Sequence, residues 1–319
     1  MLNTSQINVS AELQYQGLVT RIMTGTLTSV PCCVFLFING TMLFILRSKC
    51  VFRDTCRFIL LYNLLFADTV HMALGQLLYI ISLFRIFVTY PACGFLTMLT
   101  SLTAVISPLT LVVMSLERYV AVCYPLRHAT IITVRNTGVT IVLVWVFCLL
   151  NILIRVGLLL EFPFEELESL QMTDFCSDIA MFLGSTSADY DKGFSFFVFV
   201  SAALVIVSSY VGVIVAARSA STDKASARKA RNTLIMHMVQ LGLNLSSKIF
   251  YPLFILFSKA LTRIVFVRIY NVFYVCFIMF PRCLSTLIYG IRDQTIRPIV
   301  MYYFCCRMKV SVTSTQAEK

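Results

Sequence analysis

The chain has 319 residues, of which 59% are hydrophobic and only 13% are charged. Soluble domains carry about 25% charged residues, so this composition excludes an ordinary soluble protein and indicates a chain that crosses a membrane several times. In a soluble protein the net charge of +11 would suggest a nucleic-acid partner. Here the excess Lys and Arg flank apolar segments, so membrane lipids with anionic headgroups explain the charge and we expect no nucleic-acid partner.

Seven apolar windows follow one another along the chain, each long enough for the ~20 residues that cross a bilayer. They lie at 22–46, 57–84, 93–116, 137–160, 194–217, 234–257 and 264–290. The pattern predicts an all-α fold, a bundle of seven transmembrane helices at 22–290. An N-terminal tail (1–21) precedes the bundle, and a cytoplasmic segment with a short amphipathic eighth helix (291–319) follows it.

The distribution of Lys and Arg predicts the orientation of the bundle in the membrane. Of the 26 basic residues, 17 lie in four segments, at 47–57, 118–135, 218–231 and 292–319. By the positive-inside rule these segments are cytoplasmic, and the N-terminus is extracellular. Asn3 and Asn8 begin sequons in this tail, so we predict glycosylation at both. The first span is expected to act as a signal anchor, since the first 20 residues lack an apolar run of their own.

A charged pair, Glu117 and Arg118, stands at the cytoplasmic end of the third window, in the segment MSLERYVAVCYPLRH from Met114 to His128. A carboxylate and a guanidinium at a membrane boundary can hold each other or exchange partners when neighbouring helices move. The pair is therefore a candidate switch. An ordinary pair of interfacial anchors is the alternative.

This segment resembles, nearly residue for residue, the end of the third helix of rhodopsin-like G-protein-coupled receptors. Within that family it is most similar to the MAYDRYVAICxPLxY of vertebrate odorant receptors. KARNTLIMH at 229–237 resembles their KAxSTCxSH, which begins the sixth helix, and PRCLSTLIYGIRD at 281–293 resembles their PPxLNPxIYxLRN. The chain has CRFIL at 56–60 where these receptors usually have PMYxFL, which favours a fish-type member over a typical mammalian one.

The resemblance implies an odorant receptor of the plasma membrane, in which a small molecule bound in the outer half of the bundle activates a heterotrimeric G protein. It also implies the residues of the activation switch: Glu117, Arg118, Tyr119, Tyr210, His237 and Tyr289. A non-olfactory chemosensory or orphan receptor is the first alternative. A transporter or channel is the second, although the sequence shows neither inverted repeats nor paired broken helices. An enzyme has no support, because we find no metal-ligand spacing, cofactor motif or nucleophile motif.

The residues expected around the ligand combine aromatic rings with a few polar groups. They are Thr97, Met98, Ser101, Phe199, Lys248, Tyr251, Tyr270 and Tyr274. Helical spacing predicts that Lys248 lies on the inward face of the sixth helix, so an anionic odorant is one interpretation, and snorkelling or internal pairing is the other. Arg155, in the outer third of the fourth window, is expected to pair with one of the eight acidic residues at 161–191.

The resemblance implies a polar cluster in the middle of the bundle, formed by Asn39, Asp68, Ser107, Arg282 and Ser285. Asn39 needs an interhelical partner, and Asp68 is the natural candidate, with structural stabilisation as the plain interpretation. Arg282 is too deep to snorkel, and Asp68 is the carboxylate at comparable depth. In many rhodopsin-like receptors the matching aspartate helps to bind sodium. We therefore hypothesise that Arg282 replaces the ion.

The cysteines divide by their predicted side of the membrane. Cys93 opens the third window, and Cys176 is the only cysteine in the outer loop at 161–191. Extracellular thiols tend to oxidise, so we predict a Cys93–Cys176 disulfide, which also matches that of the receptor family. Cys305 and Cys306, beyond the seventh window, are candidates for palmitoylation. The remaining cysteines are interpreted as apolar fillers or cytoplasmic thiols.

Overall fold

The structure, a computed structural model, describes residues 4–161, 172, 176, 181, 185–219, 228, 231–243, 269, 272–280, 282–283, 286 and 296–299, without the side chains of 4–17, 20, 185 and 217–219. Within these residues, five helices are long and apolar enough to cross a membrane: Arg21–Ser48, Cys56–Phe84, Tyr90–Cys123, Val134–Leu160 and Thr186–Ala216. We call them the first to fifth spans. They coincide, within a few residues at most ends, with the first five predicted windows.

The sixth and seventh predicted windows lie largely outside the described residues. Residues 231–243 are helical and are called the sixth-helix segment below. From the seventh window the structure describes a helix at 272–280, which includes a π-helical stretch at Tyr274–Met279. Of the predicted eighth helix only 296–299 are described, and there Ile296 is fully buried.

Two of the spans belong to longer helices. The first helix runs from Thr4 to Ser48, so most of the predicted N-terminal tail continues the first span as helix. The fifth runs from Ser185 to Ser219. Two short helices, Cys50–Arg53 and Pro125–Ile131, follow the first and third spans. The sequon at Asn3 and the side chain of Asn8 lie outside the description, so glycosylation stays a prediction.

Local sequence explains several helix ends. Pro91 and Pro125 stand in the first turn of their helices, where a missing N–H removes no helical hydrogen bond. The fourth helix begins after Thr133, whose hydroxyl accepts a hydrogen bond from the backbone N–H of Asn136 at 3.1 Å. The second span ends at Phe84, and the next residue, Arg85, adopts a left-handed conformation with φ 53°.

The third span lies at the centre of the described bundle, in contact with the second, fourth and fifth spans. In its apolar stretch 56% of the residues are buried, against 17% in the fourth span. The fourth span therefore presents most of its apolar surface outward, as expected of a helix in contact with lipid. The core between the first, second, third and fifth spans consists of closely packed aliphatic side chains, among them Met42, Ile45, Leu61, Leu64, Leu111 and Ile206.

A chain of polar contacts fixes the fourth span against the second and third. The indole N–H of Trp145 donates to Asn63 Oδ1 at 2.9 Å, and Asn63 Nδ2 donates to Thr110 Oγ1 at 3.0 Å. Interhelical hydrogen bonds of this kind hold membrane helices together where the hydrophobic effect between them is weak. The tryptophan thus sets the rotation of the fourth span, which has few other buried residues.

Candidate functional site

The predicted switch pair is formed at the end of the third span. Arg118 Nε lies 2.9 Å from Glu117 Oε2, and His128 Nε2 lies 3.9 Å from Glu117 Oε1. Glu117 is 7% exposed. Arg118 Nη2 is buried and has no hydrogen-bond partner among the residues that the structure describes. The guanidinium therefore holds its neighbour and keeps one donor available for another partner.

An apolar cluster joins three helices beside this pair. Val213 of the fifth span and Leu234 of the sixth-helix segment are fully buried, and Tyr119, Val122 and Tyr210 pack against them. A shift of the sixth-helix segment would therefore disturb contacts made by both Tyr119 and Tyr210. Because packed cores have discrete arrangements, such a cluster can act as a bistable element.

His237 is a buried residue of the sixth-helix segment that lies within electrostatic range of Arg118. Its side chain is 2% exposed, and the positive charges of Arg118 and Arg57 act on it. Tyr289 lies outside the described residues. Five of the six residues predicted for the switch are thus found at one end of the bundle, and their role stays a prediction.

Sequence reasoning did not identify Gly212, where the fifth span lies directly against a side chain of the third. A Cβ atom added there would lie 2.3 Å from Cε2 of Tyr119 and 2.9 Å from its Cδ2. Cys123 Sγ donates to the Gly212 carbonyl at 3.6 Å. The tyrosine ring therefore rests directly on the helix backbone, which any side chain at 212 would prevent. A glycine two residues after Tyr210 is the only signal in the sequence, and alone it predicts no contact.

Gly212→Ala is expected to lower the free energy of unfolding by about 1–3 kcal/mol, because the new methyl group overlaps a ring that packing holds in place. Thermal unfolding of the purified receptor in detergent measures the effect. Gly138→Ala is the matched control, since no atom lies within 4 Å of its added Cβ and alanine favours the helix. Equal melting temperatures for the two variants would contradict the prediction.

A second residue that sequence reasoning missed is Leu126, in the short helix Pro125–Ile131. Its side chain is 96% exposed. The short helix follows the third span on the predicted cytoplasmic side. An apolar side chain in water is common when single. Its position two residues from His128, whose imidazole lies 3.9 Å from Glu117, makes it a candidate contact for a protein partner.

The buried polar cluster is formed in the middle of the bundle. Arg282 Nη1 donates to Asp68 Oδ1 at 2.9 Å and to Ser107 Oγ at 3.0 Å, and Ser107 Oγ donates to Asp68 Oδ1 at 2.5 Å. Asp68 and Ser107 are fully buried, and Arg282 is 6% exposed. Charge-assisted hydrogen bonds of this type are the stronger ones in proteins. The cluster ties the predicted seventh helix to the second and third spans.

The expected Asn39–Asp68 contact is wrong. Asn39 instead bonds to the predicted seventh helix, where its Nδ2 donates to the Arg282 carbonyl at 3.4 Å and its Oδ1 accepts from Thr286 Oγ1 at 2.6 Å. Asp68 Oδ1 already accepts hydrogen bonds from Ser107 and Arg282. Thr286 was not predicted, although it lies four residues after Arg282 and so on the same helix face. Ser285 lies outside the described residues.

The outer end of the third span carries the expected disulfide. Cys93 and Cys176 are bonded, with 5.6 Å between their Cα atoms. Met172 N donates to the Val88 carbonyl at 3.1 Å, which places a second point of the outer loop on the same helix start. The structure thus fixes the loop against the third span at two neighbouring positions.

The predicted ligand residues are only partly described. Thr97, Ser101 and Phe199 are buried, and the Thr97 hydroxyl donates to the Cys93 carbonyl at 2.9 Å within its own helix. Met98 is partly buried. Tyr274 stacks on Tyr79 of the second span with 4.8 Å between ring centroids. Its ring therefore faces the first and second spans. The other predicted ligand residues, which lie outside the described part of the chain, are Lys248, Tyr251 and Tyr270.

Arg155 finds its partner where the acidic segment ends. Its Nη2 pairs with Asp191 Oδ1, and its Nε donates to Asn151 Oδ1 at 3.1 Å. Asn151 Nδ2 in turn donates to Tyr190 Oη at 2.9 Å. The predicted pairing is confirmed, but Asp191 belongs to the fifth helix and not to a loop. The contact joins the outer ends of the fourth and fifth spans.

Comparison with known proteins agrees with this geometry. The family model for the 7 transmembrane receptor (rhodopsin family) matches residues 38–311. Odorant receptor 131-2 of Danio rerio is 31% identical over 304 residues, which cover 95% of this chain and 90% of that protein. Olfactory receptor 2A7 of Mus musculus is 31% identical over 162 residues, 49% of this chain and 51% of that protein. Olfactory receptor 2A12 of Homo sapiens is 28% identical over 167 residues, 51% of this chain and 53% of that protein.

The family match spans most of the chain, and the Danio rerio relative aligns with nearly all of it. Both matches are consistent with the five described spans and with the contacts described at the two ends of the bundle. The predicted seven-helix fold and the resemblance to odorant receptors are thereby confirmed. The chain belongs to the rhodopsin family of seven-transmembrane receptors, as an odorant receptor of the plasma membrane.

Proposed function

We propose that this receptor binds a small odorant in the outer half of its bundle and passes the signal through the Arg118 region to a heterotrimeric G protein. A ligand that binds one of two conformations better shifts the population toward it. In the activated state the sixth helix moves outward, which separates Leu234 and His237 from the third and fifth spans. The space opened in this way receives the G protein.

The observation that carries this proposal is the convergence of three helices at the switch. Tyr119, Tyr210 and Leu234 share one apolar cluster, and Arg118 keeps a buried donor without a partner in the described part of the chain. A partner that supplies an acceptor to Arg118 after the sixth helix has moved would stabilise the open arrangement. The basic residues at this face favour an acidic surface on that partner.

A cAMP assay in cells that carry an olfactory-type stimulatory G protein tests the proposal. A mixed odorant panel is applied to the native receptor, to Arg118→Ala and to Arg135→Ala, whose arginine is exposed at the start of the fourth helix. We expect a response in the native receptor and in Arg135→Ala that Arg118→Ala loses at equal surface expression. An unchanged response in Arg118→Ala would contradict the proposal. If the native receptor is silent, the same three proteins are compared with other G proteins.

Leu126→Ala is expected to weaken G-protein binding about tenfold, since full burial of a leucine at an interface contributes ~1.5–3 kcal/mol. The measurement is the concentration of purified G protein needed for half-maximal nucleotide exchange. Leu153→Ala is the matched control, because Leu153 is 65% exposed but lies on the lipid-facing side of the fourth span. The same shift in both variants would show that Leu126 makes no contact with the partner.

A further inference from the structure

The carboxylate of Asp68 is the fully buried acid at the centre of the described bundle. Both donors that reach it, Ser107 Oγ and Arg282 Nη1, bond to Oδ1. Oδ2 is buried and accepts no hydrogen bond from any residue that the structure describes. His71 lies one turn farther along the same helix, with its Nδ1 3.1 Å from the Thr100 carbonyl oxygen. The charge that balances Asp68 is therefore the guanidinium of Arg282.

These residues do not fit a bound sodium ion, which many receptors of this family hold at the matching positions. The oxygens that these residues could offer to such an ion are Ser107 Oγ and the two oxygens of Asp68, and Arg282 Nη1 already lies 3.0 Å from Ser107 Oγ and 2.9 Å from Asp68 Oδ1. An ion on these oxygens would share them, or the same carboxylate, with the guanidinium. Two like charges at that separation repel strongly where the local dielectric constant is low.

We infer that Arg282 is a built-in replacement for the cation, so that sodium does not regulate this receptor. The pair is neutral as a whole, and the free Oδ2 suits a neutral donor such as water and not a second cation. Arg282 also holds the predicted seventh helix to the second and third spans through its own side chain. A bound ion in the same place could exchange with the solvent, whereas the arginine cannot. The effect of sodium on stability can be measured without ligand or G protein, so its outcome does not depend on the proposed function.

Removal of the guanidinium should create a sodium site at Asp68 and Ser107. In Arg282→Gln, Asp68 keeps its charge, Ser107 keeps its hydroxyl, and the cation that balanced them is gone. A buried carboxylate without a counter-charge favours any small cation that can reach it. We expect this variant to gain a melting temperature that rises with sodium concentration, by about 2–4 °C at ten times the dissociation constant.

The test is thermal unfolding of the purified full-length receptor in sodium chloride and in choline chloride at equal ionic strength. Three proteins are compared: native, Arg282→Gln, and the double variant Asp68→Asn with Arg282→Gln, which lacks both charges. We expect the difference between the two salts to be the same for native and double variant and to be larger for Arg282→Gln.

Two results would overturn the inference. One is a sodium-specific stabilisation of the native receptor that exceeds that of the double variant, because it would place sodium at Asp68 beside the arginine. The other is a folded Arg282→Gln receptor without any added response to sodium, because Arg282 would then not be the group that fills the site. If Arg282→Gln fails to fold, the comparison of native and double variant decides alone.

Discussion

Asp68→Asn is expected to lower the free energy of unfolding by about 3–5 kcal/mol, because it leaves the Arg282 guanidinium buried without its counter-charge. The side chain of Arg282 is 8% exposed and that of Asp68 is fully buried, so solvent cannot take over the role of the lost partner. Thermal unfolding in choline chloride measures this cost without a contribution from sodium. The effect should far exceed that of an exposed ion pair, which contributes about 0–1 kcal/mol.

The double variant of Asp68→Asn and Arg282→Gln distinguishes the effect of an unpaired charge from the effect of altered packing. It removes both ions and keeps polar groups of similar size, so most of the lost stability should return. Ser107 then retains an amide oxygen to which it can donate. If the double variant were no more stable than Asp68→Asn alone, the loss would arise from packing around residue 68 and not from an unpaired cation.

The sequence contains enough information to place the spans and the two ion pairs that contain a buried arginine. Apolar length alone locates the five described spans, because a bilayer sets a minimum that few other segments satisfy. Depth then restricts the partners of a buried cation. Asp68 was the carboxylate at the level of Arg282, and Arg155 stood next to an acidic segment that ends in Asp191. The cost of an unpaired charge in the membrane makes these two predictions strong.

Contacts that depend on the rotation and offset of neighbouring helices could not be predicted in the same way. Asn39 bonds to Thr286 and the Arg282 carbonyl, which no pattern within either helix indicates. The ring of Tyr119 rests on Gly212 because the third and fifth spans meet at that level. A hydrophobic pattern gives each helix its buried face but not the residue it meets on the next helix.

The exposure of Leu126 was not predictable for a related reason. The hydrophobic pattern treats a leucine beside a transmembrane span as one more buried or lipid-facing residue. The structure turns the chain at Tyr124, starts a new helix at Pro125 and leaves Leu126 on the outside of it. Only the geometry of the turn decides which side of the short helix faces the cytoplasm.

Asp191→Asn is the second substitution with a large expected effect, a loss of about 3–5 kcal/mol in the free energy of unfolding. Arg155 is 7% exposed, and its guanidinium would lose its counter-charge in the outer third of the fourth span. Its remaining contact, with Asn151, is a hydrogen bond to a neutral amide. The fifth helix would then be held to the fourth at this end by the Asn151–Tyr190 hydrogen bond and by aromatic packing, in which the ring centroids of Phe147 and Phe194 lie 5.9 Å apart.

Asp189→Asn is the matched control, since the same substitution two residues earlier breaks only an exposed pair with Lys192. Such a pair contributes little, so the melting temperature should stay within about 2 °C of the native value. If both variants unfold at the native temperature, Arg155 has other partners that compensate for the loss. If only Asp191→Asn is destabilised, the pair of Arg155 and Asp191 is an essential link between the fourth and fifth spans on the extracellular side. We then expect movement of the fifth span during activation to be largest in its cytoplasmic half, where Tyr210 and Gly212 lie.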